Sequence, residues 1–138
     1  MKRSIKILAV DREDIILKSI KKALQSNEEF EYNVVAYNTA LEGLKSIRSD
    51  TFNLVLIDLV LPGMNGFELL RRIKNIDPSL PVIIMAGFPP VEINLNSSNS
   101  SERQDKNLNR AEGFLLKPFT TEEIRSLILQ VLKLSVVN

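Results

Sequence analysis

The sequence predicts an α/β fold of the doubly wound kind, a parallel sheet covered by helices on both faces. Three observations carry that expectation. Short apolar runs rich in β-branched residues alternate with amphipathic stretches along the chain. The run Leu54 to Ile57 is apolar at every position, as strands buried between two helical layers are. Most gaps between runs are long enough for the crossover helix that a parallel pair needs. At 138 residues and 44% hydrophobic content, a single domain spanning 1–138 can build its own core.

The first strand is expected over Ile5 to Val10. An amphipathic helix follows, because Ile16, Ile20, Ala23 and Leu24 recur at helical spacing while Lys18, Lys21, Lys22 and Gln25 take the other side. The second strand is expected over Tyr32 to Tyr37, and the second helix over Thr39 to Ser49, with Ala40, Leu41, Leu44 and Ile47 on its apolar stripe. Leu54 to Asp58 supplies the third strand, and Gly66 to Asn75 the next helix through Phe67, Leu69, Leu70 and Ile73. Val82 to Ala86 and Phe114 to Leu116 complete the strands, and Thr120 to Leu134 reads as the last helix. The crossover at 87–112 breaks the pattern, since residues 96–107 contain no apolar side chain. That tract is expected to be a flexible polar loop, with a short helix near 102–110 allowed by the capping box that begins at Ser101.

Composition narrows the chemistry. The chain has no cysteine and no histidine, which removes disulfides, thiolate nucleophiles and the commonest general base and metal ligand. With 18 basic and 17 acidic residues there is no field for gripping nucleic acid, so direct nucleic-acid binding is not expected. No long uncharged apolar stretch or signal-peptide core occurs, and a cytoplasmic, membrane-free protein is expected.

In a parallel sheet the carboxyl ends of all strands share one edge, where open α/β folds bind ligands. Asp11 closes the first strand, Asp58 the third and Lys117 the fifth. Taken singly, Asp11 reads more readily as a helix cap and Lys117 as a solvated strand end. Together, two carboxylates and an ammonium suit a hard divalent cation and a phosphoryl group, with one carboxylate as the nucleophile.

The stretches Ile7 to Asp11, Leu56 to Asp58 continuing through Leu61 to Gly66, Pro81 to Met85, and Glu112 to Phe119 resemble the receiver domain of two-component response regulators, in the right order and over nearly the whole chain. The resemblance implies a flavodoxin-like five-stranded sheet of order 2-1-3-4-5. It also implies a function in phosphorelay signalling rather than as an enzyme: a phosphoryl group received on Asp58 from a histidine kinase or phosphotransfer protein and reported to a downstream protein. Asp11 then matches one residue of an acidic pair that holds Mg2+ together with Asp58 and the backbone carbonyl of Val60. Lys117 matches the lysine that contacts the phosphoryl group, and the Lys117-Pro118 bond matches one that is cis in the family.

Two departures bear on that chemistry. Arg12 stands where a second acidic metal ligand is expected, and a guanidinium there would either pair with Asp58 bidentately, taking over part of the role of Mg2+, or extend into solvent. Ala86 stands where the family has a hydroxyl, which leaves Phe114 at the aromatic switch position without its partner. These changes keep open an alternative, a pseudo-receiver that works as a phosphorylation-independent interaction module. A flavin or nucleotide site is disfavoured, because no glycine-rich loop follows the first strand. The apolar residues Leu127, Leu129, Val131 and Leu134 of the last helix serve either the core or a homodimer contact.

Overall fold

The computed structural model describes residues 2–87 and 110–135. The expected polar loop at 96–107 and the short helix near 102–110 lie outside the described residues. Within them the order is β1 (Arg3–Val10), α1 (Asp14–Ala23), β2 (Phe30–Tyr37), α2 (Ala40–Ser49), β3 (Leu54–Asp58), α3 (Gly66–Ile76), β4 (Val82–Ala86), β5 (Gly113–Leu116) and α4 (Thr121–Val131). All pairings are parallel and the strand order is β2-β1-β3-β4-β5, the flavodoxin-like arrangement.

Side-chain alternation along each strand divides the core in two. Leu8, Val10, Val55, Ile57, Val82 and Ile84 face α2 and α3. Ile5, Ile7, Leu54, Leu56, Ile83 and Met85 face α1 and α4. Every residue of β3 and β4 is buried, which is why these strands read as unbroken apolar runs.

The boundaries differ from the expected ones by more than one residue at three places. β1 and β2 each begin two residues early because Arg3 pairs with Phe30 in register. There the Arg3 guanidinium lies 4.3 Å from the Phe30 ring centre and 2.7 Å from Glu29, so a charged residue extends a strand that apolar patterning starts later. The last helix stops at Val131 rather than Leu134, although the apolar pattern runs on. Lys133 takes a left-handed φ of 56°, and the Leu134 and Lys133 N–H groups donate back to the Leu129 and Gln130 carbonyls, a Schellman-type close. Leu127, Leu129, Val131 and Leu134 are partly buried against the second core cluster.

Candidate functional site

β1 and β3 are neighbours in the sheet, so Asp11 and Asp58 emerge side by side at its carboxyl edge. Lys117 follows β5, whose exit is tied to the end of β4 by a hydrogen bond from the Lys117 N–H to the Ala86 carbonyl at 2.8 Å. The Lys117-Pro118 peptide bond is cis.

The loop after Asp58 turns at Gly63, whose φ of 76° suits a residue without a side chain. α3 then starts at Gly66, capped by the Asn65 side chain, which accepts from the Glu68 N–H at 2.9 Å. A Cβ on Gly66 would stand 2.6 Å from the Asp58 carbonyl oxygen and 2.8 Å from Leu59 Cα. Helix α3 can therefore pass over the backbone of Asp58 only because that residue is glycine.

Asp11 and Asp58 are both buried, at 0% and 2% exposure, an arrangement that costs free energy unless the charges are answered. The Lys117 ammonium answers both, 2.7 Å from Asp11 Oδ2 and 3.2 Å from Asp58 Oδ1. Asp11 Oδ1 accepts the Glu13 N–H at 2.8 Å, so Asp11 also tethers the entry to α1, whose N-cap residue has no side-chain bond of its own. Its Oδ2 lies at ion-pair distance from Lys117 but receives no directed hydrogen bond. Burial pushes the Asp11 carboxyl above its ordinary range and the nearby Asp58 charge pushes the same way, while Lys117 and the Glu13 N–H oppose them.

The two oxygens of Asp58 differ. Oδ1 accepts from Lys117 and from the Val60 N–H, both at 3.2 Å. Among the described residues Oδ2 faces only the Arg12 N–H at 3.5 Å and the Arg12 Nε at 4.0 Å. Arg12 therefore neither clasps Asp58 bidentately nor leaves the site, for its side chain stands over the less engaged oxygen and stays 45% exposed.

The remaining expected positions are distributed around this centre. Val60 is 47% exposed on the loop and contributes its N–H to Asp58. Ala86 is buried at the end of β4, next to Gly87, where a Cβ would meet nothing within 4 Å. Phe114 on β5 is partly buried against the α2 and α3 side of the core. Glu13 and Asp14 are exposed and add no carboxylate to the site.

The donors present fit a hard divalent cation in part. Asp11 Oδ2 is a buried oxygen without a directed donor, and Asp58 supplies a second carboxylate. No grouping of three acidic or other ligating side chains occurs among the described residues, and Arg12 adds a positive charge beside Asp58.

Sequence reasoning missed the backbone donors of Arg12 and Val60, which carry no side-chain signal. It also missed a half-buried ion pair at the opposite edge. Lys74 is 3% exposed, donates to the Leu80 carbonyl at 2.8 Å and meets Glu112 Oε1 at 2.5 Å, while Glu112 Oε2 accepts the Val82 N–H at 2.7 Å. The signal was available, since Lys74 falls four residues after Leu70 and seven after Phe67, on the apolar face of α3.

Comparison with known proteins agrees with the geometry. The family model for the response regulator receiver domain matches residues 7–129. The chain is 32% identical over 92 residues to the response regulator receiver protein CpdR of Brucella abortus, covering 67% of this chain and 74% of that protein. It is 31% identical over 121 residues to the transcriptional regulatory protein ZraR of Klebsiella oxytoca, covering 88% of this chain but only 25% of that longer protein. Among solved structures, a response regulator receiver domain protein of Methanospirillum hungatei JF-1 superposes with a TM-score of 0.75 at 30% identity, covering 96% of this chain and 95% of that one.

Proposed function

The chain belongs to the family of response regulator receiver domains of two-component signalling, and from that membership we propose that it accepts a phosphoryl group on Asp58 from a partner histidine kinase or phosphotransfer protein. The observation that carries the reading is the Asp58 carboxylate itself, buried at the sheet edge with Oδ1 held by Lys117 and the Val60 N–H and Oδ2 left without a close donor among the described residues. A carboxylate with one oxygen anchored and the other available is a positioned nucleophile.

In the transfer, Asp58 Oδ2 forms the new O–P bond as the P–N bond to the donor imidazole breaks and its electron pair returns to the ring. Lys117 can swing from the two carboxylates toward the incoming phosphoryl oxygens, because the Asp58 charge it now answers moves outward onto those oxygens. Asp11, Asp58 and the Val60 carbonyl would hold Mg2+, which when bound would neutralise phosphoryl oxygens. Loss of a hydroxyl at Ala86 removes none of the contacts made to Asp58, so the phosphorylation-independent alternative is not favoured.

Incubation with acetyl phosphate and Mg2+ followed by intact-mass measurement tests the reading. One phosphoryl adduct is expected on the parent protein and none on Asp58→Asn. An unmodified parent, or an equal adduct on Asp58→Asn, would sink it.

A further inference from the structure

We propose that Arg12 is a ligand for the phosphoryl oxygens, so that this site takes up a phosphoryl group without requiring a divalent metal. The inference rests on the reading of Asp58 as acceptor and concerns what answers the incoming charge.

Two observations carry it. The Asp58 oxygen left without a close donor among the described residues is the one that Arg12 overlooks, with Nε 4.0 Å away, a gap too long for a hydrogen bond. A phosphoryl group built on Oδ2 brings its oxygens toward that gap, and the planar guanidinium can grip them through paired N–H donors. Its 45% exposure leaves the side chain free to adjust, and among the described residues nothing fills the space beside Gly87. The second observation is the charge arrangement. Asp11 and Asp58 are matched by two side-chain cations, Lys117 and Arg12, and the exposed Glu13 and Asp14 do not restore a third carboxylate. A divalent cation entering here meets a guanidinium that already stands beside Asp58, which weakens its binding while supplying fixed positive charge to the phosphoryl group.

The step balances without a metal. Asp58 Oδ2 bonds to phosphorus, the bond from phosphorus to the acetate oxygen of acetyl phosphate breaks, and acetate leaves with the electron pair.

The experiment follows adduct formation from acetyl phosphate by intact mass in EDTA and in Mg2+, for the parent, Arg12→Gln and Arg12→Asp, with Mg2+ affinity measured separately by calorimetry. On chelation the parent rate should fall less than about tenfold. Arg12→Gln in EDTA should fall about a hundredfold below the parent, the scale of losing one charge-stabilising donor. Arg12→Asp should bind Mg2+ at least about tenfold more tightly and depend on it strictly, because a hard oxygen replaces a competing cation. An adduct on the parent in Mg2+ but not in EDTA would overturn the role of Arg12 and leave Asp58 as acceptor. No adduct in either condition would overturn both. Unchanged Mg2+ affinity in Arg12→Asp would show that residue 12 does not face the site, and would overturn the proposal alone.

Discussion

Asp11 works against the fold that holds it. It is fully buried, one of its oxygens lacks a directed donor, and burial pushes its carboxyl upward even with Lys117 close by. Removing the charge should therefore stabilise the protein. Asp11→Asn keeps an oxygen for the Glu13 N–H and leaves Lys117 to Asp58, and it is expected to gain ~1 kcal/mol in chemical denaturation. A loss of stability would mean that the Lys117 pair outweighs desolvation. This residue, Asp58 and Lys117 are legible in the sequence because each ends an apolar run, and parallel topology carries strand ends to one edge. Arg12 is legible as a misfit but not in its posture. The sequence offered a bidentate clasp or release to solvent, and the fold holds a long single approach, because the Arg12 backbone is fixed beside Asp58 while the rest of its side chain stays wet.

At the scale of elements, α3 links the site to the core. Gly66→Ala would press a methyl group onto the backbone of Asp58 and Leu59, which cannot yield as a flexible side chain could. A loss of about 1–3 kcal/mol is expected, together with slower phosphoryl uptake, because the displaced backbone is that of the proposed acceptor. At the far end of the same helix, Lys74→Met leaves the Leu80 carbonyl unpaired and frees one oxygen of Glu112, and should cost about 1–3 kcal/mol with the site chemistry intact. Urea denaturation and the adduct assay on both variants separate the two effects. The helices were legible from spacing, but their ends were not always so. Leu132 and Leu134 continue the apolar pattern of α4 past Val131, and only the backbone reversal at Lys133 ends it. A buried lysine looks polar to any pattern until its partner Glu112 is placed beside it.

For the whole molecule, the absence of histidine and cysteine removes the side chains that ordinarily titrate between pH 5 and 8. Stability there is expected to be nearly flat, with one qualification of known sign. A folded carboxyl whose pKa is raised favours folding most below its unfolded value, and that contribution is lost as pH rises through the folded value. Any fall in stability with rising pH should thus trace to Asp11 and disappear in Asp11→Asn. Glu68 behaves oppositely. Hydrogen bonding from Arg71, helped by Arg72, lowers its carboxyl to about 2, so its contribution is present above the ordinary 4.5 and lost as pH falls toward 2. It lies on the surface, where such pairs are worth at most ~1 kcal/mol, so Glu68→Gln should cost no more than that at neutral pH and nothing in strong acid. Thermal melts across pH check both. The sheet order was legible only through family resemblance, since periodicity names strands without ordering them.

The most direct test is to locate the modified atom. Treatment with acetyl phosphate, reduction with borohydride and peptide mapping would convert an aspartyl phosphate into homoserine at its own position. Homoserine at position 58 and at no other acidic residue is the expected result. An unreduced Asp58 beside a reduced Asp11, or a map with no reduced residue from a protein that carries the adduct, would contradict it.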